Sequence, residues 1–351
     1  MTLSYCRRHF LAQLAGTAIS ARRSPAQPAD EPDVEMHARM FPRSTRYAIQ
    51  RGLTYLADNQ NEDGSFGRGG YSRNVGICGL CGMAMLANGS APGRGPFGKQ
   101  IASVVDYLLS CCQKSGYIVA GEASSGGPMY GHGFATLFLA DVHGMSLRQG
   151  LREKLSRAVQ LIVNSQSPVG GWRYQPNRSE ADVSVTVCQV MALRAARNAG
   201  VFVPNETIER AAQYVRSCQN EDGGFRYIAD KADVSAFARS AAAVVALYGA
   251  GMYEGDEIKR GLAYLLHHPP TAKRTRKQEY FFYGHYYAVQ AMWQARNGHW
   301  EKWYPAIREI LIPRQEVDGS WFDDSISFEY GTAMSCLILQ MPNNYLPIFR
   351  R

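Results

Sequence analysis

Residues 218–225 read CQNEDGGF, and the same phrase stands elsewhere in the chain as QNEDGSF at 60–66 and QEVDGSW at 315–321. Asp-Gly favours tight turns, because Asp bonds its own backbone and Gly adopts positive φ without steric cost. Each copy ends in an aromatic residue, namely Phe66, Phe225 or Trp321. The phrase therefore predicts a helix end, a tight turn and an aromatic anchor that packs under the turn and closes a helical hairpin.

The spacing of the phrase indicates a repeat. A Gln recurs at intervals of 53 residues, and a further copy follows 96 residues later; these are Gln60, Gln113, Gln166, Gln219 and Gln315. A fixed period is the mark of a repeated supersecondary unit. Before the turns, apolar residues recur at helical spacing, and after them come stretches rich in small and apolar residues, such as GICGLCGMAMLA at 76–87.

Each unit is thus predicted to hold an outer amphipathic helix, a turn and an inner helix that is buried on all sides. The predicted inner helices are 75–88, 132–143, 183–199, 234–250, 285–297 and 330–341. Five of them end at a Gly, as helix C-termini favour: Gly89, Gly144, Gly200, Gly251 and Gly298. The predicted hairpins are, approximately, 44–92, 97–146, 151–200, 205–251, 256–298 and 302–348. The sequence therefore predicts an all-α protein.

Helical hairpins whose turns read Q-x-x-D-G-[SG]-[FW] resemble the prenyltransferase and squalene–hopene cyclase repeat. The resemblance implies an α/α toroid over residues 44–348, in which about six hairpins close into an inner and an outer ring of helices. The same fold serves protein prenylation, triterpene cyclisation, thioester-bearing domains and some carbohydrate-active enzymes. Function therefore needs evidence from the site itself.

The N-terminal segment has a different character. Residues 6–20 read CRRHFLAQLAGTAIS, where Arg7 and Arg8 stand just before Phe10 and Leu11. This pattern resembles a twin-arginine export signal, and we assign residues 1–23 to it and 24–43 to a linker. We expect an exported, periplasm-facing protein; the alternative is a cytoplasmic protein with a basic N-terminus.

Charge and hydropathy limit the classes of binding partner that we expect. The formal net charge is +8, and four of the positive charges are arginines of the first 23 residues, so we expect no nucleic-acid partner. No apolar run reaches the ~18 residues of a membrane span, and we expect no transmembrane segment. One basic cluster, Lys273, Arg274, Arg276 and Lys277, could contact an anionic surface, with a solvated loop as the alternative.

The acidic motif of the cyclases in this family is incomplete in this sequence. The resemblance implies a D-x-D-D-T-type motif at an inner-helix head, where an alkene is protonated. The matching places read EADVSVT at 180–186 and KADVSAF at 231–237, which leaves Asp182 and Asp233 alone. Both are candidate catalytic acids, and helix N-capping is the alternative role.

Two histidines are further catalytic candidates, since YGHGF holds His132 and YGHYY holds His285. In the prenyltransferases that the chain resembles, zinc is held by an Asp, a Cys and a His, but no D-x-C pair occurs here. Cys78, His132, Cys188 and His285 fall at similar heights on their inner helices and could bind Zn²⁺ in a closed ring. We assign no metal, leave the cofactor open, and keep histidines bonded within the cavity wall as the alternative.

Aromatic residues gather at the inner-helix heads, where a toroid opens its cavity. The predicted ligand-binding residues are Tyr130, Tyr283, Tyr286, Phe328, Glu329 and Tyr330. Such a lining suits an isoprenoid-like apolar ligand, through cation–π attraction to a carbocation, and also suits a stacked sugar or a filled core. An open cavity with converging carboxylate or His groups would indicate an enzyme. A filled cavity with an exposed apolar rim would indicate a non-catalytic binding or scaffold toroid; a carbohydrate-active toroid is the other alternative.

Overall fold

The computed structural model describes residues 40–120, 127–276, 278–296, 298–343 and 345–346. Residues 1–39, which include the predicted export signal and most of the linker, lie outside the described residues. The described part is helical, with short 3₁₀ turns and isolated bridges but no β-strand. This confirms the predicted all-α class.

Thirteen α-helices follow one another along the described residues. They are α1 Arg43–Asp58, α2 Val75–Leu86, α3 Gly98–Ser110, α4 Pro128–His143, α5 Leu151–Ser165, α6 Val183–Asn198, α7 Asn205–Ser217, α8 Phe237–Gly249, α9 Asp256–Leu266, α10 Ala272–Thr275, α11 Phe281–Ala295, α12 Trp300–Leu311 and α13 Phe328–Leu339. The outer helices α1, α3, α5, α7, α9 and α12 alternate with the inner helices α2, α4, α6, α8, α11 and α13. The short α10 lies in the fifth hairpin, which lacks the Asp-Gly turn.

The inner helices pack side by side in chain order, and α13 returns to pack against α2 and α1. The ring is therefore closed. Small residues allow the inner helices to approach closely: a Cβ on Gly79 would lie 2.8 Å from the carbonyl oxygen of Phe134 on the next helix. The predicted α/α toroid of six hairpins is confirmed.

Several inner helices begin elsewhere than the sequence pattern predicted. Helix α4 begins earlier because Pro128 stands in its first turn, where its missing N–H has no cost. Helix α13 begins earlier because the Ser327 hydroxyl accepts from Tyr330 N at 3.2 Å. Helix α8 begins later, since Ala236 is still extended. At the helix ends, Gly144 has φ −77° and does not adopt the left-handed conformation that is common for Gly at a helix C-terminus.

The repeated Gln joins one hairpin to the next. In each of four turns its side-chain Nε2 donates to the carbonyl of the turn Gly and to a carbonyl near the start of the following outer helix. The acceptors on that helix are Gln100 for Gln60, Thr207 for Gln166, Glu257 for Gln219 and Ala48 for Gln315. The last pair closes the ring, since Ala48 belongs to the first helix. The turn thus closes more than its own hairpin, which the sequence did not reveal.

The second turn departs from the predicted register. The equivalent backbone bridge joins Cys112 to Ile118 in this hairpin and Gln219 to Phe225 in the fourth, so Cys112 stands where the other turns have Gln. Gln113 lies one position further on and is not the equivalent residue. The prediction that Gln113 belongs to the repeated set was wrong, because an even spacing of 53 concealed a one-residue shift of the turn.

Gln219→Ala is expected to lower the free energy of unfolding by about 2 kcal/mol, because it removes two hydrogen bonds worth about 1 kcal/mol each. Gln315→Ala is expected to lower it by about 2 to 3 kcal/mol, because it removes two such bonds and the bond that Arg51 donates to Gln315 Oε1. The measurement is urea unfolding, with Gln160→Ala as control, since Gln160 bonds only Asn164 on the exposed face of α5. If Gln315→Ala cost no more than Gln160→Ala, the ring would not be closed in solution.

No helix in the described ranges has both the length and the hydropathy that a membrane span needs.

Candidate functional site

One position on five inner helices accepts a hydrogen bond from the backbone N–H of the residue two positions after the turn Gly. The acceptors are Cys78 Sγ, His132 Nδ1, Thr186 Oγ1, Ser240 Oγ and Thr332 Oγ1, at 2.9 to 3.2 Å. The donors include the buried ring residues Phe66, Trp172, Phe225 and Trp321. These side chains therefore point outward, toward the turns, and hold the inner helices to them.

His132 occupies this position with both ring nitrogens in use. Nδ1 accepts from Ile118 N at 3.2 Å, and Nε2 lies 3.2 Å from the carbonyl oxygen of Ala158, so the proton is assigned to Nε2. Burial lowers the pKa of His132 to about 4, and the ring is neutral at physiological pH. A neutral, fully bonded ring between the inner and outer helices has no atom directed at the middle of the toroid.

His285 lies at the corresponding place on α11. Its Nε2 is 3.1 Å from Gln278 Oε1, and its ring packs against Phe281 and Phe237 with centroids 4.7 and 4.9 Å away. Burial, assisted by the Arg314 charge, lowers the pKa of His285 to about 3. His285 is thus also enclosed in the wall.

The candidate zinc ligands are not brought together. Cys78 and His132 bind different turns, while Cys188 faces the middle, with Sγ 3.5 Å from the Tyr287 hydroxyl. Burial raises the pKa of Cys188 to about 12, so the thiolate that zinc prefers is suppressed. Among the described residues, no group of three His, Cys, Asp or Glu side chains is placed to hold a metal ion.

Aromatic rings cross the middle of the toroid. Helices α4 and α11 stand opposite each other in the inner ring, yet the rings of Phe134 and Tyr286 lie 6.4 Å apart in an edge-to-face contact. Tyr287 packs on Tyr286 at 4.9 Å. These three side chains form a floor, so the interior is filled at this level.

Further side chains lie at the inner-helix heads next to this floor, and we call the whole cluster the aromatic cup. Its walls are Tyr130, Ser184, Tyr283 and Tyr330, and its floor is Phe134, Tyr286 and Tyr287. The Tyr283 hydroxyl donates to the Ser184 carbonyl at 2.9 Å, reaching from α11 past α8 to α6. Burial raises the pKa of Tyr130, Tyr283 and Tyr330 well above the usual value, so these hydroxyls stay neutral. Four of the six predicted ligand-binding residues belong to the cup.

Asp182 stands at the head of α6, beside the cup. Its Oδ1 accepts from Val185 N at 2.9 Å, which makes it the predicted N-cap. Its Oδ2 is buried without a hydrogen-bond partner among the described residues. Burial raises the pKa of Asp182 to about 6, against the lowering effects of the Val185 hydrogen bond, the Arg173 charge and the Tyr227 hydroxyl. It is a buried carboxyl whose polar neighbour beyond its own helix is the Tyr227 hydroxyl.

A pair of tyrosines covers Asp182. The hydroxyls of Tyr174 and Tyr227 form a very short hydrogen bond. The backbone carbonyls of the same residues receive Met129 N and Val183 N, so each tyrosine caps the head of an inner helix. Arg173 lies over both rings, at 5.1 and 5.8 Å from their centroids. Tyr174 and Tyr227 are 53 residues apart, and this repeat spacing was the only sequence signal for the pair.

The other candidate carboxyls have different surroundings. Asp233 is not a helix cap: it pairs with Arg239 at 2.8 Å and accepts from Tyr227 N in the loop before α8. Glu329 is buried in the first turn of α13, with Arg68 3.4 Å away. Phe328 is 40% exposed and borders a 400 Å³ depression near α1, outside the cup. Phe328 therefore lies on the outer rim.

Sequence reasoning missed Asp141. It lies seven residues after Phe134 on α4, hence on the same helix face, and is buried with Oδ2 unpartnered within the described residues. Burial raises the pKa of Asp141 to about 7. A single acid inside the apolar stretch LFLADVHG carries no motif that would have identified it.

A larger groove of 740 Å³ lies far from this chemistry, at the opposite end of the ring, beside the start of α5. Its lining includes Arg148 and Arg157, which are paired with Asp106 and Glu153. The basic cluster lies at the turn end: Lys273, Arg274 and Arg276 are exposed on and just after α10, while Lys277 is outside the described residues. Its contact with an anionic surface stays a prediction.

The sequence profile of the squalene–hopene cyclase C-terminal domain matches residues 137–280. The chain is a squalene-cyclase-like α/α toroid. The matched segment runs from α4 to the start of α11 and contains Asp182, Tyr174 and Tyr227. The resemblance predicted from the turns is thereby confirmed. A comparison with curated proteins finds no match.

Solved structures share the architecture of this squalene-cyclase-like toroid. The type II terpene cyclase MstE from Scytonema, in its apo form, has a TM-score of 0.59 at 15% identity, over 86% of this chain and 99% of that one. A cellobiose 2-epimerase from Bacillus thermoamylovorans gives 0.62 at 12%, over 84% and 97%. A D-mannose isomerase gives 0.61 at 11%, over 90% and 99%. At these identities the likeness establishes the fold alone.

Proposed function

We propose that this squalene-cyclase-like toroid takes an isoprenoid-like apolar ligand into the aromatic cup, where Asp182 acts as the acid–base group. The observation that carries the proposal is the position of one buried carboxyl of raised pKa beside a cluster of neutral tyrosines. Aromatic faces suit an apolar chain and stabilise positive charge that develops on it. MstE, which shares the fold, has been solved with geranylgeranyl dihydroxybenzoate, and this supports the ligand class.

The reaction proposed for Asp182 is proton transfer to or from an oxygen atom, and not protonation of an alkene. Protonating a C=C bond requires a strong acid, whereas burial raises the pKa of Asp182 to about 6. The neighbouring acids of a D-x-D-D motif are absent from EADVSVT. A carboxyl of this pKa suits general acid–base transfer to or from an oxygen, because its pKa lies near neutral pH.

The experiment is equilibrium dialysis of the protein with a C20 isoprenoid, followed by mass spectrometry of the recovered ligand. We expect saturable one-to-one binding, at least 10-fold weaker in Ser184→Trp, which fills the cup between Tyr130 and Tyr283. The matched control is Ser110→Trp on the exposed end of α3, which should bind as the wild type does. We expect any chemical conversion of the ligand to stop in Asp182→Asn.

Two results would contradict the proposal. If the wild type takes up no isoprenoid, the cup is not an apolar ligand site. If Ser184→Trp binds as well as Ser110→Trp, the ligand lies elsewhere. Saturable binding without conversion in the wild type would identify a non-catalytic binding toroid, which the filled floor and the exposed rim residues Tyr280 and Phe328 favour.

A carbohydrate ligand is the second candidate. Asp182, the Tyr174–Tyr227 pair and the flanking arginines place hydrogen-bonding groups close together, and aromatic faces also stack on sugars. The same dialysis with cellobiose and mannose separates this candidate, since uptake of a sugar in preference to the isoprenoid would replace the first proposal.

A further inference from the structure

Four apolar side chains are exposed at the end of the ring opposite the turns. They belong to the loops that follow inner helices, and they are Met145, Leu147, Phe202 and Tyr345. Leu147 is fully exposed, and Phe202 is 83% exposed. A Cβ on Gly89, in the loop after α2, would lie 3.4 Å from the Tyr345 ring, so the four side chains occupy the neighbouring loops of α2, α4 and α6. Exposed apolar side chains on adjoining loops indicate a contact surface.

The same loops carry an excess of positive charge. Residues 87–100 and 143–152 contain no Asp or Glu but four exposed basic side chains, namely Arg94, Lys99, Arg148 and Arg152. The next acids along the chain, Asp106 and Glu153, are paired with Arg148 and Arg157 at 2.8 and 2.7 Å. The apolar tips therefore stand in a positive field, which attracts an anionic partner. We call these four apolar and four basic residues the loop-end surface.

A flat anionic partner fits the arrangement of this surface. Every inner helix runs from the turns to this end, so the loops that follow them lie side by side and can meet one plane together. Leucine and phenylalanine side chains can enter the boundary between lipid headgroups and acyl chains, while basic side chains remain at the phosphates. The 740 Å³ groove beside Leu147 is lined by Arg148 and Arg152 and provides room for a headgroup.

The basic cluster on and after α10, at the turn end, suits such a partner less well. The following turn, residues 315–324, contains four acidic residues and no basic one. An anionic plane that approached Lys273 and Arg274 would also approach these acids. The charge distribution of the folded ring therefore favours the loop end over the segment that the sequence pattern indicated.

We propose that the loop-end surface docks on an anionic phospholipid bilayer. Leu147 and Phe202 insert at the level of the headgroups, and Arg94, Lys99 and Arg152 bind lipid phosphates. The turns and the aromatic cup then face away from the bilayer. Docking is independent of the ligand that the cup takes, because the two regions lie at opposite ends of the ring.

The test is co-sedimentation of the full chain with vesicles of phosphatidylcholine, alone or mixed with an equal part of phosphatidylglycerol. We expect binding to the mixed vesicles to be at least 10-fold stronger, since each Lys or Arg at an anionic surface strengthens binding about 5-fold. About 0.5 M salt should remove this difference, because it screens the charges. The arginines of residues 1–23 are present in every variant, so their contribution cancels when variants are compared.

The apolar contact is tested by Leu147→Ser combined with Phe202→Ser. We expect binding to the mixed vesicles to weaken at least 10-fold, because neither apolar side chain remains to insert. The matched control is Val234→Ser combined with Val317→Ser, which removes side chains that are 77% and 97% exposed in the turn regions. This control should bind as the wild type does.

The basic contact and the orientation have their own variants. Lys99→Ser combined with Arg152→Ser should weaken binding to the mixed vesicles at least 10-fold. A tryptophan placed at the loop end by Phe202→Trp should shift its emission to shorter wavelength when mixed vesicles are added. Val317→Trp, at the other end of the ring, should show no shift.

Four results would overturn the proposal. The wild type could fail to sediment with either kind of vesicle, or could bind phosphatidylcholine as strongly as the mixture. The double variant of Leu147 and Phe202, folded by circular dichroism, could bind as the wild type does. Finally, Lys273→Ser combined with Arg274→Ser could abolish binding while the loop-end variants keep it, which would assign the contact to the turn end.

Discussion

Gly223→Ala is expected to lower the free energy of unfolding by about 3 to 4 kcal/mol. Gly223 has φ +84°, and a Cβ there would lie 2.5 Å from the carbonyl oxygen of Arg260 on the next outer helix. The left-handed conformation alone costs a non-glycine residue roughly 1 to 2 kcal/mol. Moving α9 away would also weaken the bonds from Gln219 to Glu257 and from Arg260 to Asn220, at about 1 kcal/mol each.

Gly200→Ala provides the matched control. Gly200 has φ +79°, but nothing lies within 4 Å of the Cβ position. Its replacement should cost about 1 kcal/mol, for the backbone conformation alone. Both variants are measured by urea unfolding against the wild type. Equal losses would mean that contact between the turn and the next helix adds nothing to stability, and that the turn Gly is needed only for its φ.

The free energy of unfolding of His132→Thr is expected to fall less between pH 6.5 and pH 4 than that of the wild type. The folded state lowers the pKa of His132 from 6.5 to about 4, so between these values the unfolded chain binds more protons. Stability from His132 is therefore complete above pH 6.5 and is lost as the pH falls toward 4. The loss is about 3 kcal/mol. Physically, an imidazolium cannot accept the Ile118 N–H. Thr accepts it without titrating, as Thr186 and Thr332 do in other hairpins.

The comparison must be made as a difference between variant and wild type. Burial raises the pKa of Asp141 to about 7 and that of Asp182 to about 6, and these groups act in the opposite direction by favouring the folded state at low pH. Subtracting the two unfolding curves, measured from pH 4 to 7.5, cancels their contribution. His267→Thr, at the exposed residue directly after α9, is the control. If the free energy of unfolding depended on pH equally in the wild type and in His132→Thr, folding would not lower the pKa of His132.

The ring of hairpins could be predicted because its signals are local. A turn phrase, a Gly, an aromatic anchor and a helical apolar pattern all lie within some 50 residues. The roles of His132 and Cys78 could not be predicted in this way. Whether a side chain on an all-apolar helix points to the middle or to the turn depends on helix rotation, and position within YGHGF does not fix rotation.

The candidate site also combines local features that the sequence predicts with long-range contacts that it does not. Asp182 was recognisable at a helix head, because capping is a local property. Its raised pKa and the cover of Tyr174 and Tyr227 depend on contacts between two neighbouring hairpins. The floor of the cup depends on Phe134 and Tyr286, which are 152 positions apart in the chain. Such contacts leave no pattern in a single sequence.

The hydrogen bond from each turn Gln to the next outer helix, here called a joint, also affects the order in which the protein can fold. Gln60, Gln166 and Gln219 reach partners 38 to 41 residues away, so each joint can form soon after the next helix leaves the ribosome. The joint from Gln315 to Ala48 spans 267 residues. Until the sixth hairpin is made, the nascent chain is an arc with two uncovered apolar ends, and closure of that arc is a single long-range step with a high contact order. The ring thus completes its core only after the turn of the sixth hairpin has been made.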